Sequence, residues 1–161
     1  MNRLDHVNIV VADLERAARF YEHVFGWRRG FSAILEGEWI ERVSGLSGVR
    51  AECLFLVSPD GGARLELLCY VSPSGEDIAE NSRANTRGVR HIAFEVNDIE
   101  QTLARVRELG IEPISAPVEV PFRVGELGAK RLAYFHDFDG VLVEAASYEH
   151  EASGMKPQPT K

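Results

Sequence analysis

The chain has 161 residues, a hydrophobic share of 45%, a charged share of 27% and a net charge of −7, with two cysteines, Cys53 and Cys69. This is the balance of a globular protein of one domain, or of two half-domains sharing a core, and its acidity excludes the clustered basic face of a nucleic-acid binder. No apolar run approaches the ~20 residues that span a bilayer, no signal peptide opens the chain and two thiols make no disulfide framework, so the expectation is a cytoplasmic, non-membrane protein with both cysteines reduced in the core.

Val7, Ile9 and Val11 alternate with His6, Asn8 and Val10, the pattern of a strand with two unlike faces. Asp13 is an N-cap for a helix whose stripe is Leu14, Ala17, Phe20, Tyr21 and Val24, and Gly26 stops it. Trp27 to Ile40 mixes aromatic and polar residues, with room for a strand and a loop, and Gly45 to Gly48 is a turn-rich break. Val49 to Val57 and Ala63 to Tyr70 read as two strands joined by the hairpin turn at Ser58 to Gly62. Residues 1–70 thus form a first β-α-β-β-β module, and the polar stretch 71–88, with Pro73 and Gly75, is a connector.

A second module follows over residues 89–148. Its first strand opens at His91, and Asp98 with Gln101 three residues later has capping-box spacing. Ile99, Leu103, Val106 and Leu109 give the helix its stripe, and Gly110 ends it. Pro113, Pro117 and Pro121 confine any strand between them to a short or edge position. Arg131 to His136 and Val141 to Tyr148 are strands around the turn Asp137-Phe138-Asp139-Gly140, and residues 149–161 read as a disordered tail. The fold class is α+β, built from two paired βαβββ modules.

The duplication carries the chemistry. His6 and His91 open equivalent strands, and the last strand of each module holds a glutamate in an apolar run, Glu66 and Glu144. Period-two alternation sets Glu66 opposite Leu65 and Leu67, Glu144 opposite Val143 and Ala145, His6 opposite Val7 and Ile9, and His91 opposite Ile92 and Phe94. With the aliphatic faces turned to the helices, two imidazoles and two carboxylates converge on the other side. That set suits one divalent ion (zinc, nickel, cobalt, manganese or iron), whose charge offsets both carboxylates. His23, His136 and His150 read as surface residues. The basic groups Arg83, Arg87 and Arg90, and Arg123, Lys130 and Arg131, read mainly as surface, with Arg123 or Lys130 as an alternative holder of an anionic substrate group.

Leu4-Asp5-His6-Val7, Phe20-Tyr21-x-x-Val24-Phe25-Gly26, Gly88 to Val96, and Asp137 to Gly140 followed by Glu144 together resemble the vicinal oxygen chelate superfamily over residues 4–148. The resemblance implies a half-barrel around a metal held at the places of His6, Glu66, His91 and Glu144, and a small-molecule substrate with adjacent oxygens, often in a homodimer. The His/Glu/His/Glu set looks most like glyoxalase I, a lactoylglutathione lyase. There the metal holds an enediolate while a last-strand glutamate moves the proton, which implies Glu144 as base and Glu66 as a possible second. Val10 and Tyr70 stand where bacterial glyoxalase I has polar handles for glutathione, pointing to another substrate. Methylmalonyl-CoA epimerases, extradiol iron dioxygenases and non-catalytic bleomycin-sequestering proteins are the alternatives the same resemblance implies; thiol transferases acting on fosfomycin use a similar three-ligand set, but their potassium-loop signature is not seen in this sequence.

Overall fold

The alternating run at His6 forms strand β1 (His6–Val10), which leads through Asp13 into helix α1 (Leu14–Phe25). The first module continues with β2 (Arg28–Glu36), α2 (Glu38–Ser44), β3 (Arg50–Val57) and β4 (Arg64–Ser72). The second comprises β5 (His91–Glu95), α3 (Ile99–Glu108), β6 (Val118–Glu119), β7 (Ala129–His136) and β8 (Leu142–Glu149), with a single 3-10 turn at Gly125–Leu127. The structure is a computed structural model and describes residues 3–79 and 83–149. The expected tail, with His150, lies outside the described residues except for Glu149, which closes β8.

Each module folds into a four-stranded sheet, in the orders β1-β4-β3-β2 and β5-β8-β7-β6. The long connection through helix and hairpin returns β4 parallel to β1 and β8 parallel to β5, whereas the tight turns make β3–β4 and β7–β8 antiparallel. Both histidine-bearing strands therefore stand at a sheet edge, paired on one side. The caps form as their residue types require: Asp13 Oδ1 accepts from the Arg16 amide and Asp98 Oδ1 from the Gln101 amide, each at 2.9 Å. Gly26 ends α1 at φ 69°, a left-handed conformation that a side chain would strain. The proline-punctuated segment holds only the two-residue edge strand β6. Helix α2 is not foreseen from sequence, because seven residues are too few to display a helical period and its N-cap, Gly37, offers no side chain.

One core serves both modules. Leu65, Leu67, Val143 and Ala145 are fully or almost fully buried on the faces turned to the helices. Phe25 of α1 stacks on Phe94 of β5 with ring centres 4.0 Å apart, and Phe20 meets Phe135 of β7 edge-on at 6.2 Å. Aromatic pairs in these offset and edge geometries add to the area they bury.

The Asp137–Gly140 turn ties the second module to the first. Asp137 Oδ1 accepts from the amides of Asp139 and Val141, which closes the turn, and its Oδ2 accepts from the buried Tyr21 hydroxyl at 2.9 Å. Asp139 Oδ1 accepts from the Ala12 amide at 2.8 Å. Burial, then the charge of Asp137, hold the Tyr21 phenol well above its ordinary value of 10.0. A raised acid pKa in the folded state stabilises fully below the unfolded value and loses that contribution as pH rises past it. The hydroxyl therefore stabilises the fold up to about pH 10 and progressively less above it. Tyr21→Phe strands a buried carboxylate oxygen and is expected to cost about 1–3 kcal/mol at neutral pH. The gap from wild type should narrow in melts taken from about pH 8 to about pH 11. A gap that widened with pH would contradict this account.

Candidate metal centre

Strand register builds each half of the site. Asn8 lies opposite Glu66 and Ala93 opposite Glu144, so each histidine sits two residues earlier on the same face, diagonal to its glutamate. His6 Nε2 comes 3.4 Å from Glu66 Oε2, and His91 Nε2 comes 3.3 Å from Glu144 Oε2. The antiparallel neighbour supplies an aromatic to each pair. Phe55, opposite Glu66, lies edge-on to the His6 ring at 5.5 Å, and Tyr134, opposite Glu144, lies beside the His91 ring at 5.4 Å.

The surroundings of the two pairs differ. Behind His6, Asp5 Oδ2 contacts Nδ1 at 2.7 Å and Arg64 grips the same oxygen at 2.6 Å. The His6 hydrogen bond and then Arg64 hold the Asp5 carboxyl below its ordinary range. A carboxylate on Nδ1 with Nε2 turned to the site is the arrangement of a metal-ligating histidine with its outer partner. The Asn8 amide donates to Glu66 Oε2 at 3.2 Å, and the Cys53 thiol donates to Oε1 at 3.6 Å. Burial and the charge of Glu66 push that thiol up to about 11, so Cys53 enters as a neutral donor.

The second pair has Arg90 where the first has Asp5. Glu144 is the more secluded carboxylate, its side chain 3% exposed against 17% for Glu66. Its Oε1 meets no well-aligned donor among the described residues, but the Lys130 ammonium lies 2.5 Å away and supplies the countercharge. Burial works against that ammonium, yet the contact with Glu144 outweighs it and holds Lys130 above its ordinary value. Burial, then the Glu144 charge, likewise keep the Tyr134 phenol above its usual range.

The structure thus assembles the four sequence-predicted residues as two His–Glu pairs. Among the described residues, no three His, Cys, Asp or Glu side chains gather closely enough to hold an ion by themselves. A cavity of about 310 Å³ opens between the first strands of the two modules, and of the four residues only His91 lines it. It is lined by consecutive residues, Val7 to Val10 and Val89 to Ile92, which is how strand edges rather than faces line a space. Asn8, whose amide reaches Glu66, lies on one wall and His91 on the other.

Ile78 and Arg83 of the connector contribute to the lining, as does His136, which sequence reading leaves as plain surface. His23 is half-exposed and pairs with Glu108 of α3 at 2.9 Å, away from the site. Asp5, Asn8 and Tyr134 are the site residues that sequence reasoning misses. The signals existed: Asn8 shares the parity of His6, and Asp5 directly precedes it.

The Glyoxalase/Bleomycin resistance protein/Dioxygenase superfamily matches residues 3–145, and the chain belongs to that superfamily. A glyoxalase family protein from Bacillus cereus is similar in structure, with a TM-score of 0.81 and 30% identity over 92% of this chain and 95% of that one. The uncharacterized protein YwkD of Bacillus subtilis is 27% identical over 89% of this chain and 95% of its own length. The fosfomycin resistance protein FosX of Listeria monocytogenes, in a complex with Mn(II) and sulfate, shares the fold at a TM-score of 0.57 and 20% identity, covering 92% of this chain and 94% of that one. No helix among the described residues is long and apolar enough to cross a membrane.

Proposed function

We propose that the chain is a divalent-metal-dependent enzyme of the glyoxalase type, moving a proton next to a carbonyl of a small substrate with adjacent oxygens. The observation that carries this is the repeated pair, an imidazole Nε2 facing a carboxylate oxygen at 3.4 and 3.3 Å, on the helix-free face of both sheets. The donor types suit a divalent ion, and since no three of them gather among the described residues, one ion held by all four would have to draw the two pairs together. His6, Glu66, His91 and Glu144 would hold it, with Asp5 orienting His6 as an outer carboxylate. Once bound, such an ion polarises a carbonyl oxygen and acidifies the neighbouring carbon.

The chain's own groups do the rest. Glu144, nearly free of water, takes and returns the proton through Oε2, with Glu66 a possible second carrier. Tyr134 keeps its phenolic proton and remains a donor beside that carboxylate. The replacement of glutathione handles by Val10 and Tyr70 favours a substrate other than a glutathione adduct. A homodimer is supported by exposed apolar residues, Phe31, Ile34, Trp39, Val43 and Leu46, on and beside β2 and α2 at one sheet edge.

Elemental analysis after dialysis against zinc, nickel and manganese tests the centre. Wild type is expected to retain about one ion per chain, while His6→Ala and His91→Ala each lose affinity by about a hundredfold or more. Equal retention by all three would overturn the reading.

A further inference from the structure

The cavity of about 310 Å³ lies between β1 and β5, each of which forms an edge of its own sheet. The ladders show which way their backbones turn. The Val11 amide donates to the Leu68 carbonyl and the Asp5 carbonyl accepts from the Arg64 amide, so the odd-numbered residues along β1 bond to β4. Asn8 and Val10 point their N–H and C=O groups the other way, into the cavity. On the opposite wall the Val96 amide donates to the Ala146 carbonyl, which commits the even-numbered residues along β5 to β8 and turns His91 outward in the same manner. β1 and β5 do not pair with each other. Two strand edges with donors and acceptors that neither sheet uses thus face one space, and an extended amide is the group that satisfies such edges.

The side chains add a charge and an apolar bed. His91, Leu142 and His136 stand in register across β5, β8 and β7, so they share one face and form a row along the cavity. Val7, Ile9 and Ile92 supply apolar walls. The connector lies against both modules: a Cβ at Gly75 would stand 3.4 Å from Val10 Cγ1, and one at Gly140 would stand 3.9 Å from Ile78 Cδ1. Two arginines, Arg83 and Arg90, line the cavity against one glutamate, Glu76, so the lining is net positive in a chain whose net charge is −7. Such a local reversal of sign favours an anionic ligand, and guanidinium groups suit a carboxylate.

We propose that this slot binds a short N-acylated amino acid with an apolar side chain. Its amide pairs with the strand edges at Asn8, Val10 and His91, its carboxylate meets the guanidinium groups of Arg83 and Arg90, and its side chain lies against Ile92 and Leu142. Ligand pockets span about 300–1,000 Å³, so a cavity at the small end of that range suits a single acylated residue better than a longer peptide. Three of the four residues of the candidate metal centre do not line the slot, and binding there calls for no ion.

The test is calorimetric titration of N-acetyl-L-leucine into the full chain in the presence of EDTA. Two further probes are run beside it: N-acetyl-L-leucinamide, which lacks the carboxylate, and isocaproate, which lacks the amide. Wild type should bind the acid, and each of the other probes about tenfold more weakly or worse. Arg83→Gln/Arg90→Gln, first checked for a wild-type melting profile, should bind the acid about tenfold more weakly and lose the preference for acid over leucinamide. In amide-resolved NMR spectra of wild type, the N–H signals of Asn8, Val10 and His91 should shift as the acid is added. If the double variant does not fold, the probe series and the spectra of wild type carry the test.

Failure of wild type to bind the acid at about 10 mM would overturn the proposal. Equal binding of isocaproate would remove the amide from it, and equal binding of the leucinamide would remove the carboxylate; either overturns it. Shifts that spare Asn8, Val10 and His91 would do the same. So would binding that appears only when a divalent ion replaces EDTA, which would place the ligand at the His–Glu pairs instead. Because EDTA excludes ions from the main titration, its failure would leave the metal-centred reading to be judged by elemental analysis alone.

Discussion

Glu144→Gln is expected to lower turnover by about 10²–10⁴-fold, the range associated with losing a general base. The amide keeps the shape of the side chain but can neither accept the proton nor offset the charge of an ion. The readout is loss of the substrate's α-proton signal in deuterated solvent, followed over a panel of thiohemiacetal, acyl-CoA and related α-oxygenated carbonyl compounds. The variant also leaves the Lys130 ammonium without its carboxylate at a site where that lysine's side chain is only 18% exposed. Breaking such a pair from one side costs about 3–5 kcal/mol, so lost activity alone could reflect lost fold. Lys130→Met/Glu144→Gln removes both charges together and should recover much of that stability while remaining inactive. Wild-type rates in this folded double variant would show that Glu144 is not the proton carrier.

Phe135→Ala is expected to cost about 3–5 kcal/mol, as for other large aromatic side chains removed from a core. Phe135 is fully buried and lies against Phe20 and Phe25 of α1, so the hole would open between the modules rather than inside one. For a chain of this length the melting temperature should fall by about 6–20 °C. Because the core is shared, calorimetry should show one transition displaced as a whole. Two resolved transitions, with only the second module moved, would mean that each half folds on its own core.

The same sharing explains how the site is presented. The helices and the Phe20, Phe25, Phe94 and Phe135 cluster occupy one side of the sheets, and the polar residues of opposite parity are left on the other. The Tyr21–Asp137 hydrogen bond and the Asp139–Ala12 contact link segments more than a hundred residues apart. They act on the relation between modules and touch neither glutamate.

Much of this was legible in the chain itself. Period-two alternation is a local property, so it assigned His6, Glu66, His91 and Glu144 to the faces opposite their aliphatic neighbours, and the repeat matched one half to the other. The caps at Asp13 and Asp98 and the stop at Gly26 were equally local, since a cap is made by side-chain and backbone groups a few residues apart. Strand register is not local. That Glu66 falls opposite Asn8, and that Lys130 reaches Glu144, follows from how strands far apart in sequence align. Parity alone could describe four equivalent ligands around a point. Tertiary structure decided that they stand as two pairs, one backed by Asp5 and Arg64 and the other held by Lys130, because only packing brings those charges within contact distance.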